Sequence, residues 1–256
     1  MGSVITLTTD FGSCDGYQGV LEGVIYGINP NARVVTISHE IPPQDIAGGW
    51  YLIKTHHRYF PPGTVHVAVV DPGVGSKRKI IAVTTCKYKF IAPDNGLLSF
   101  IPNKEIISIH SVTNRKYALA EISPVFHGRD IMAPAAAYLS LGINPSCLGR
   151  ASKTISELPN IKPIRKKNKI FGRVIWVDRF GNMITNIEST RNLDKKSVSV
   201  NGEEVGPIQK CFSDVKSGKL VAYIGSGGHL EIAVRNGSAF DYFSLKKISD
   251  FEIVVA

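Results

Sequence analysis

Two acidic residues stand directly after apolar, strand-like segments of the sequence. Asp10 follows residues 4–9, and Asp71 follows residues 65–70. Ligands of open α/β sheets bind at the carboxyl ends of strands, where these carboxylates would hold ribose hydroxyls, a metal ion or a cationic group. Aspartates equally often cap turns and helices. Spacing alone leaves both interpretations open.

A glycine-rich loop and a histidine add further polar groups. The loop 71–78 reads Asp-Pro-Gly-Val-Gly-Ser-Lys-Arg and ends at the cation Arg78, but it lacks the G-x-x-x-x-G-K-[ST] pattern of a phosphate loop. His127 follows Phe126 just before a predicted helix, a position from which an imidazole can enter a crevice and exchange protons. The chain also lacks a G-x-G-x-x-G after its first strand and a G-x-S-x-G anywhere. These absences disfavour nucleotide triphosphatases, ordinary dinucleotide enzymes and serine hydrolases.

The first part of the chain alternates between strand-like and helix-like segments. The patterns predict strands at residues 4–7, 33–37, 65–70, 80–84 and 89–92, and helices at 16–28, 45–59 and 129–141. The nearly continuous apolar run at 65–70 is typical of a strand covered on both faces. We therefore predict an α/β domain with a largely parallel sheet over residues 1–158.

A basic segment follows, and beyond it the helical signal nearly disappears. Residues 150–173 carry eight Lys or Arg and one acid. Because prolines accompany this charge, we interpret residues 159–169 as a solvated linker and not as a nucleic-acid surface. Strands are predicted at 171–177, 183–187, 197–200, 220–224 and 229–234, with a hairpin turn at Asn201-Gly202. Residues 170–256 thus read as an antiparallel β domain.

Composition narrows the class of protein. The chain has 256 residues, 43% of them hydrophobic, with a formal net charge of +9. We see no apolar run near the roughly 20 residues of a membrane-spanning helix, and no signal peptide, so we expect no membrane partner. No cysteine pair has zinc-binding spacing, and isolated thiols fit a reducing cytoplasm. We predict no metal, no cofactor and no nucleic-acid partner.

Six ordered blocks of the sequence carry a more specific signal. They are Thr9–Gly12 with Asp15, Asp71–Gly75 with Arg78, Ala92–Leu98, Phe126–Asp130 with 133–135, Asp178–Asn182 with 185–186, and Ser226 with 230–233. This series resembles the S-adenosylmethionine (SAM) hydroxide adenosyltransferases, relatives of the fluorinases and chlorinases, over almost the whole chain. The resemblance implies a two-domain homotrimer whose sites lie between one subunit's first domain and its neighbour's second.

The resemblance also implies a role for individual residues. Asp71, Arg78 and His127 match the set that handles water in hydrolysis of SAM to adenosine and methionine, with attack at the ribose 5′-carbon. Asp10 matches the acid on the ribose hydroxyls, and Phe126 would pack near the ribose. The remaining substrate-binding matches are Asp178, Phe180, Asn182, Phe212, Ser226, Glu231 and Val234. SAM would be the substrate and not a cofactor.

Departures within the family favour water as the nucleophile. Halogenases carry an aromatic residue where this chain has Asp71, and they lack the His127 pattern. The fluorinase also has a long insertion, which would fall near Lys87 and is absent here. Gly227 and Arg235 differ from common choices of the family. The alternatives are a halide-using adenosyl transferase and a non-catalytic nucleoside or SAM-binding protein, which would need none of Asp71, Arg78 and His127. An RNA-binding protein ranks third because only the basic segment suggests it.

Overall fold

The computed structural model describes residues 3–190, 193, 196–244 and 251–256. The chain divides into two units, Met1–Pro159 and Asn160–Ala256. Across these described residues, none of the helices combines the length and apolar character needed to cross a bilayer.

The first unit is built on a six-stranded sheet in the order β2-β1-β3-β5-β4-β6. Its strands are β1 (Val4–Thr9), β2 (Arg33–Ser38), β3 (Val65–Val69), β4 (Ile80–Thr85), β5 (Lys89–Pro93) and β6 (Ile106–Ser111). β1, β2, β3 and β5 pair in parallel, whereas β4 runs antiparallel to both its neighbours. The carboxyl ends of β1 and β3 therefore lie side by side, which brings Asp10 and Asp71 to one edge of the sheet.

Three helices cover this sheet on its two faces. The helices are α1 (Tyr17–Ile28), α2 (Ile46–His56) and α3 (Ala133–Ser140). α1 and α3 share a core with Ile5 and Leu7 of β1 and alternate residues of β3. The intervening strand residues, such as His66, face the other side, where the ring of His57 after α2 lies 5.9 Å from it. The parallel strands are thus buried on both faces, as their apolar sequences predict.

The second unit is a β structure closed into a barrel-like sheet. Its elements are β7 (Ile164–Lys166), β8 (Lys169–Val177), β9 (Met183–Glu188), β10 (Ser197–Val200), β11 (Glu203–Gln209), β12 (Leu220–Ile224), β13 (His229–Val234), α4 (Ala239–Tyr242) and β14 (Glu252–Val255). The order is β14-β10-β11-β12-β13-β9-β8-β7, and β14 also pairs with β8. Neighbouring strands are antiparallel except β11 and β12, which pair in parallel.

The predicted fold class is confirmed, with several elements that the sequence patterns did not indicate. Four strands of the structure have no counterpart among the strands predicted from the sequence: β6, β7, β11 and β14. β7 lies inside the basic segment that we interpreted as a linker, and it forms a hairpin with β8, with Lys166 opposite Lys169. All three β7 residues are exposed, so this strand lacks the apolar alternation by which strands are recognised.

One buried histidine makes the first unit sensitive to acid. His66 is fully buried, and its Nδ1 lies 2.7 Å from the Thr6 hydroxyl. Burial lowers the pKa of His66 to about 3, with a smaller contribution from His57. Between about pH 3 and pH 6.5, His66 therefore binds a proton in the unfolded chain but stays neutral in the native state. The neutral ring therefore contributes stability above pH 6.5 that is progressively lost as the pH falls toward 3.

We predict that His66→Gln reduces this acid sensitivity, because glutamine retains a polar partner for Thr6 but does not titrate. At about 1.4 kcal/mol per unit of pKa shift, the parent should lose roughly 2–3 kcal/mol more than the variant between pH 6.5 and 4.5. Urea unfolding at the two pH values measures the difference. The exposed His56→Gln variant is the control and should follow the parent. Equal losses in the parent and His66→Gln would contradict the prediction.

Candidate functional site

A cleft of about 380 Å³ opens in the first unit beside the carboxyl ends of β1 and β3. Four of the predicted site residues line it: Asp10, Asp71, Phe126 and His127. The position follows from the topology, because two parallel strands that end together leave a crevice between the loops that follow them. The loops after β1 and β3 and the segment before α3 supply the side chains.

Arg78 joins the two central groups of this cleft. Its Nε donates to Asp71 Oδ1 at 2.9 Å, and its Nη2 donates to Asp71 Oδ2. The same Nη2 lies 2.9 Å from Nδ1 of His127. The Arg78 and Asp71 side chains are only 11% and 6% exposed, so water screens the pair weakly. The bidentate geometry supplies the hydrogen bonds that a buried ion pair needs.

Tight turns bring Arg78 back to the strand end. The amide of Val74 donates to the carbonyl of Asp71, and the amide of Arg78 donates to the Ser76 hydroxyl at 3.2 Å. Gly75 has φ +79°, and a Cβ there would lie 2.7 Å from the carbonyl oxygen of Pro124. This residue therefore needs to be glycine for the loop to pack against the segment that leads to His127.

His127 stands at the start of an unusual helical turn. Gly128–Met132 is π-helical and continues directly into α3, a distortion that often accompanies functional sites. Burial lowers the pKa of the His127 imidazole, and the charge of Arg78 lowers it further, against the smaller effects of Asp71 and Asp130. The ring is therefore neutral near pH 7. Because Arg78 can only donate, Nδ1 of His127 accepts and the ring proton sits on Nε2.

Asp10 forms the other acidic wall of the cleft. Its Oδ2 accepts a 2.8 Å hydrogen bond from the amide of Gln44, a residue held at φ +67°. Burial raises the pKa of Asp10, and the nearby charge of Asp71 adds to this effect. The strained backbone of Gln44 is thus used to aim an amide at the carboxylate. The patterns of the sequence gave no sign of Gln44, because it lies in a turn far from Asp10 along the chain.

Three aromatic rings close one side of the cleft. Phe126 lies 5.7 Å from Phe11 and 5.4 Å from Tyr17, with all three rings edge to face. Phe11 and Tyr17 were not among the predicted site residues, although Phe11 belongs to the first of the six blocks. Asn95, in the third block, donates to the carbonyl of Val70 at 2.8 Å and so fixes the chain directly before Asp71.

A second cleft, of about 910 Å³, lies in the second unit. All seven residues predicted for that half line it: Asp178, Phe180, Asn182, Phe212, Ser226, Glu231 and Val234. Asp178 Oδ1 accepts from the amides of Phe180 and Asn182 at 2.9 Å, and its Oδ2 accepts from the Asn182 side chain at 2.8 Å. Both oxygens of the Asp178 carboxylate therefore accept hydrogen bonds within this turn and stabilise it. Phe180, in the same turn, is 76% exposed.

Glu231 is the buried acid of this second cleft. Burial raises the pKa of Glu231, and Asp178 raises it further, while a hydrogen bond from Tyr223 lowers it. That bond, from the Tyr223 hydroxyl to Oε2, is 2.7 Å long. A Cβ at Gly225 would lie 1.8 Å from Glu231 Oε1, so the carboxylate packs flat on the glycine turn. Tyr223 was missed, although it stands opposite Glu231 in the hairpin register.

The structure thus places eleven of the twelve predicted residues on the walls of two clefts, and Arg78 directly behind one of them. Their catalytic and binding roles stay predictions. Across residues 3–190, 193, 196–244 and 251–256, no three His, Cys, Asp or Glu side chains form a cluster that would hold a metal ion. The first cleft offers a carboxylate and a neutral imidazole that both bond to one guanidinium, an arrangement suited to orienting and deprotonating water.

Comparison with known proteins identifies the family. Residues 5–149 match the SAM hydroxide adenosyltransferase N-terminal domain, and residues 172–252 match the C-terminal domain. An (R)-S-adenosyl-L-methionine hydrolase from Thermus thermophilus is 37% identical over 93% of this chain and 94% of its own. A fluorinase from an Actinoplanes species is 27% identical over 95% and 94%. The crystal structure of an uncharacterized conserved protein from Thermotoga maritima, 36% identical, superposes over 98% of this chain and 99% of its own with a TM-score of 0.88. The chain belongs to the SAM hydroxide adenosyltransferase family.

Proposed function

We propose that this protein hydrolyses SAM to adenosine and methionine. The contact of Arg78 with both Asp71 and His127 carries the proposal, because it gathers a water-activating set at the strand ends. Membership of the family and the similarity to a named hydrolase support it. The name of that relative specifies the (R) epimer at sulfur, so we propose (R)-SAM as the first substrate to test.

The chemistry needs an activated nucleophile more than a leaving-group acid. Water oxygen forms a bond to the ribose 5′-carbon as the bond from that carbon to sulfur breaks. The electron pair of the broken bond goes to sulfur, so the sulfonium leaves as the neutral thioether of methionine. Since Nδ1 of His127 is occupied by Arg78, its Nε2–H donates and orients the water. Asp71, with lone pairs left beyond its two bonds to Arg78, accepts the water proton. Arg78 stabilises the negative charge that develops on the oxygen.

The other residues position the substrate in this proposal. Asp10 binds the ribose hydroxyls, with Phe126 against the sugar. In the second unit Phe180 and Phe212 flank the adenine, Asp178 and Asn182 meet its polar groups and those of methionine, and Ser226, Glu231 and the Val234 backbone supply further contacts. No metal or cofactor takes part. Four free cysteines fit the cytoplasmic location that we also propose.

We further propose a homotrimer in which each site joins one subunit's first unit to its neighbour's second. We base this proposal on the resemblance of the six sequence blocks to the family. The division of the predicted site residues between two clefts supports it. Head-to-tail contacts between the same surfaces form a closed ring of three if the rotation at each contact closes the ring.

Asp71→Asn should remove most of the turnover while adenosine still binds. The change preserves shape but deletes the charge that accepts the proton and pairs with Arg78, so we expect kcat to fall about 10²-fold or more. Steady-state kinetics and adenosine titration measure the two effects. The exposed Asp241→Asn variant is the control and should match the parent. Activity of Asp71→Asn within about threefold of the parent would remove Asp71 from the water-activating set.

Mixing two inactive chains tests the shared site. His127→Ala spoils the first unit and Asn182→Ala the second, so each mixed trimer would hold one interface with two intact halves. Equal random mixing should therefore restore about a quarter of the parent sites. The measurement is activity after subunit exchange, verified by native mass spectrometry of a tagged chain. No recovery in verified mixed trimers would refute the shared site.

Hydrolysis in ¹⁸O-labelled water identifies the nucleophile. With (R)-SAM and, separately, (S)-SAM in excess chloride or fluoride, we expect label in the 5′-hydroxyl of adenosine and no halogenated nucleoside. The carboxylate of Asp71 repels halide and accepts a proton from water. Mass spectrometry of the nucleoside product detects both the ¹⁸O label and any halogenated nucleoside. A 5′-halo-nucleoside as the main product would overturn the hydrolase, and unlabelled adenosine would point to an oxygen of the protein or substrate.

A further inference from the structure

Arg235 reaches from the end of β13 to a short segment on the wall of the second cleft. Its Nη1 donates to the carbonyl of Val215 at 2.6 Å and to the carbonyl of Ser213 at 3.3 Å. Its main chain also bonds to residues 218 and 219, in both directions. One side chain thus connects strand β13, whose residues Glu231 and Val234 line the cleft, to residues 210–215.

The segment 210–215 is tied internally by one acid. Asp214 accepts hydrogen bonds from the amides of Lys210 and Cys211, which lower the pKa of Asp214. These bonds fix the local turn but do not attach it to the barrel. The turn presents Phe212, which lines the cleft and is 41% exposed, with its ring 4.7 Å from that of Tyr223.

We infer that Arg235 is a positioning residue that holds Phe212 at the adenine position of the second cleft. The inference rests on the proposed function for the identity of the ligand. Arg235 does not touch the base; it fixes the carbonyls on either side of Asp214, and the turn fixes the ring. Both carbonyls accept from the same nitrogen, Nη1. A lysine ammonium also offers several donors but sits on a shorter side chain, so it should retain only part of this link. Without Arg235, the Phe212 ring would lose its fixed stacking position. Each binding event would then have to order the ring again, at a cost in entropy.

A direct role for Arg235 is the competing explanation. It is a cation on the wall of this cleft, so it would bind the methionine carboxylate if that group lay nearby. Adenosine has the base but no carboxylate, whereas methionine has the carboxylate but no base. Comparing the two ligands separates an effect transmitted through Phe212 from a contact between charges.

The test measures adenosine and methionine binding calorimetrically in the parent, Arg235→Ala, Arg235→Lys, Phe212→Ala and the double variant Arg235→Ala/Phe212→Ala. Because one stacking surface is affected, Arg235→Ala should weaken adenosine binding about tenfold. Arg235→Lys should lie between the parent and Arg235→Ala, because an ammonium can replace part of the link made by Nη1. The double variant should be no weaker than Phe212→Ala alone, since both changes remove one interaction. Turnover of SAM should show a raised KM with kcat near that of the parent. The control is Lys216→Ala, which removes an exposed cation directly after the segment 210–215.

A second measurement does not depend on the ligand. Trypsin should cut after Lys210 and Lys216 faster in Arg235→Ala than in the parent, with unchanged cleavage elsewhere apart from the site after residue 235, which the substitution itself removes. Equal cleavage rates overturn the inference whatever the protein binds. Unchanged adenosine affinity in Arg235→Ala, or weakened methionine binding alone, overturns it while the hydrolase proposal stands. Failure of the parent to turn over SAM and to bind adenosine instead overturns the proposed function, and the adenine role of Phe212 with it.

Discussion

The guanidinium of Arg78 is the group on which the geometry of the first cleft depends. It donates twice to Asp71 and once to His127, so a single cation sets the distance between the carboxylate and the imidazole. The strand end fixes Asp71, the turns at 71–78 fix Arg78, and the π-helical turn fixes His127. Breaking the pair from either side would leave an uncompensated charge in a weakly hydrated site, which is costly. Positioning and charge balance are therefore one interaction here.

The same interaction divides the work of the two candidate bases. An imidazole whose Nδ1 accepts from Arg78 carries its proton on Nε2, and the lowered pKa of His127 keeps it neutral. Such a ring donates to water but takes up no proton without first giving up Arg78. Asp71 can accept a proton without any such change of partner. The sequence left the identity of the acceptor open; the tautomer imposed by Arg78 favours Asp71.

Sequence patterns were informative where burial was strong and silent where contacts were long-range. The apolar runs before Asp10 and Asp71 predicted the strands and their shared edge, because buried parallel strands leave few alternatives. The exposed strand β7 left no comparable pattern. Tyr223 and Arg235 were missed for a different reason: their partners are set by hairpin register and by a loop 20 residues away. The separation of 49 positions between Arg78 and His127 likewise hides a direct hydrogen bond that only the folded chain displays.

Charge balance also bears on why water and not halide would be the nucleophile in this member of the family. Arg78 is a potential anion site, but its positive charge is already paired with Asp71, whose two oxygens accept from Nε and Nη2. Asp10 adds a second carboxylate to the same cleft; burial raises the pKa of Asp10, and the charge of Asp71 makes a smaller contribution in the same direction. A halide entering here would meet two acids and a cation that is already paired, whereas neutral water pays no such electrostatic cost and finds both a donor and an acceptor. The resemblance places an aromatic ring at position 71 in the halogenases, which would remove one of these negative charges. On a shared scaffold, we therefore expect exchange of this one side chain to change which nucleophile the cleft excludes.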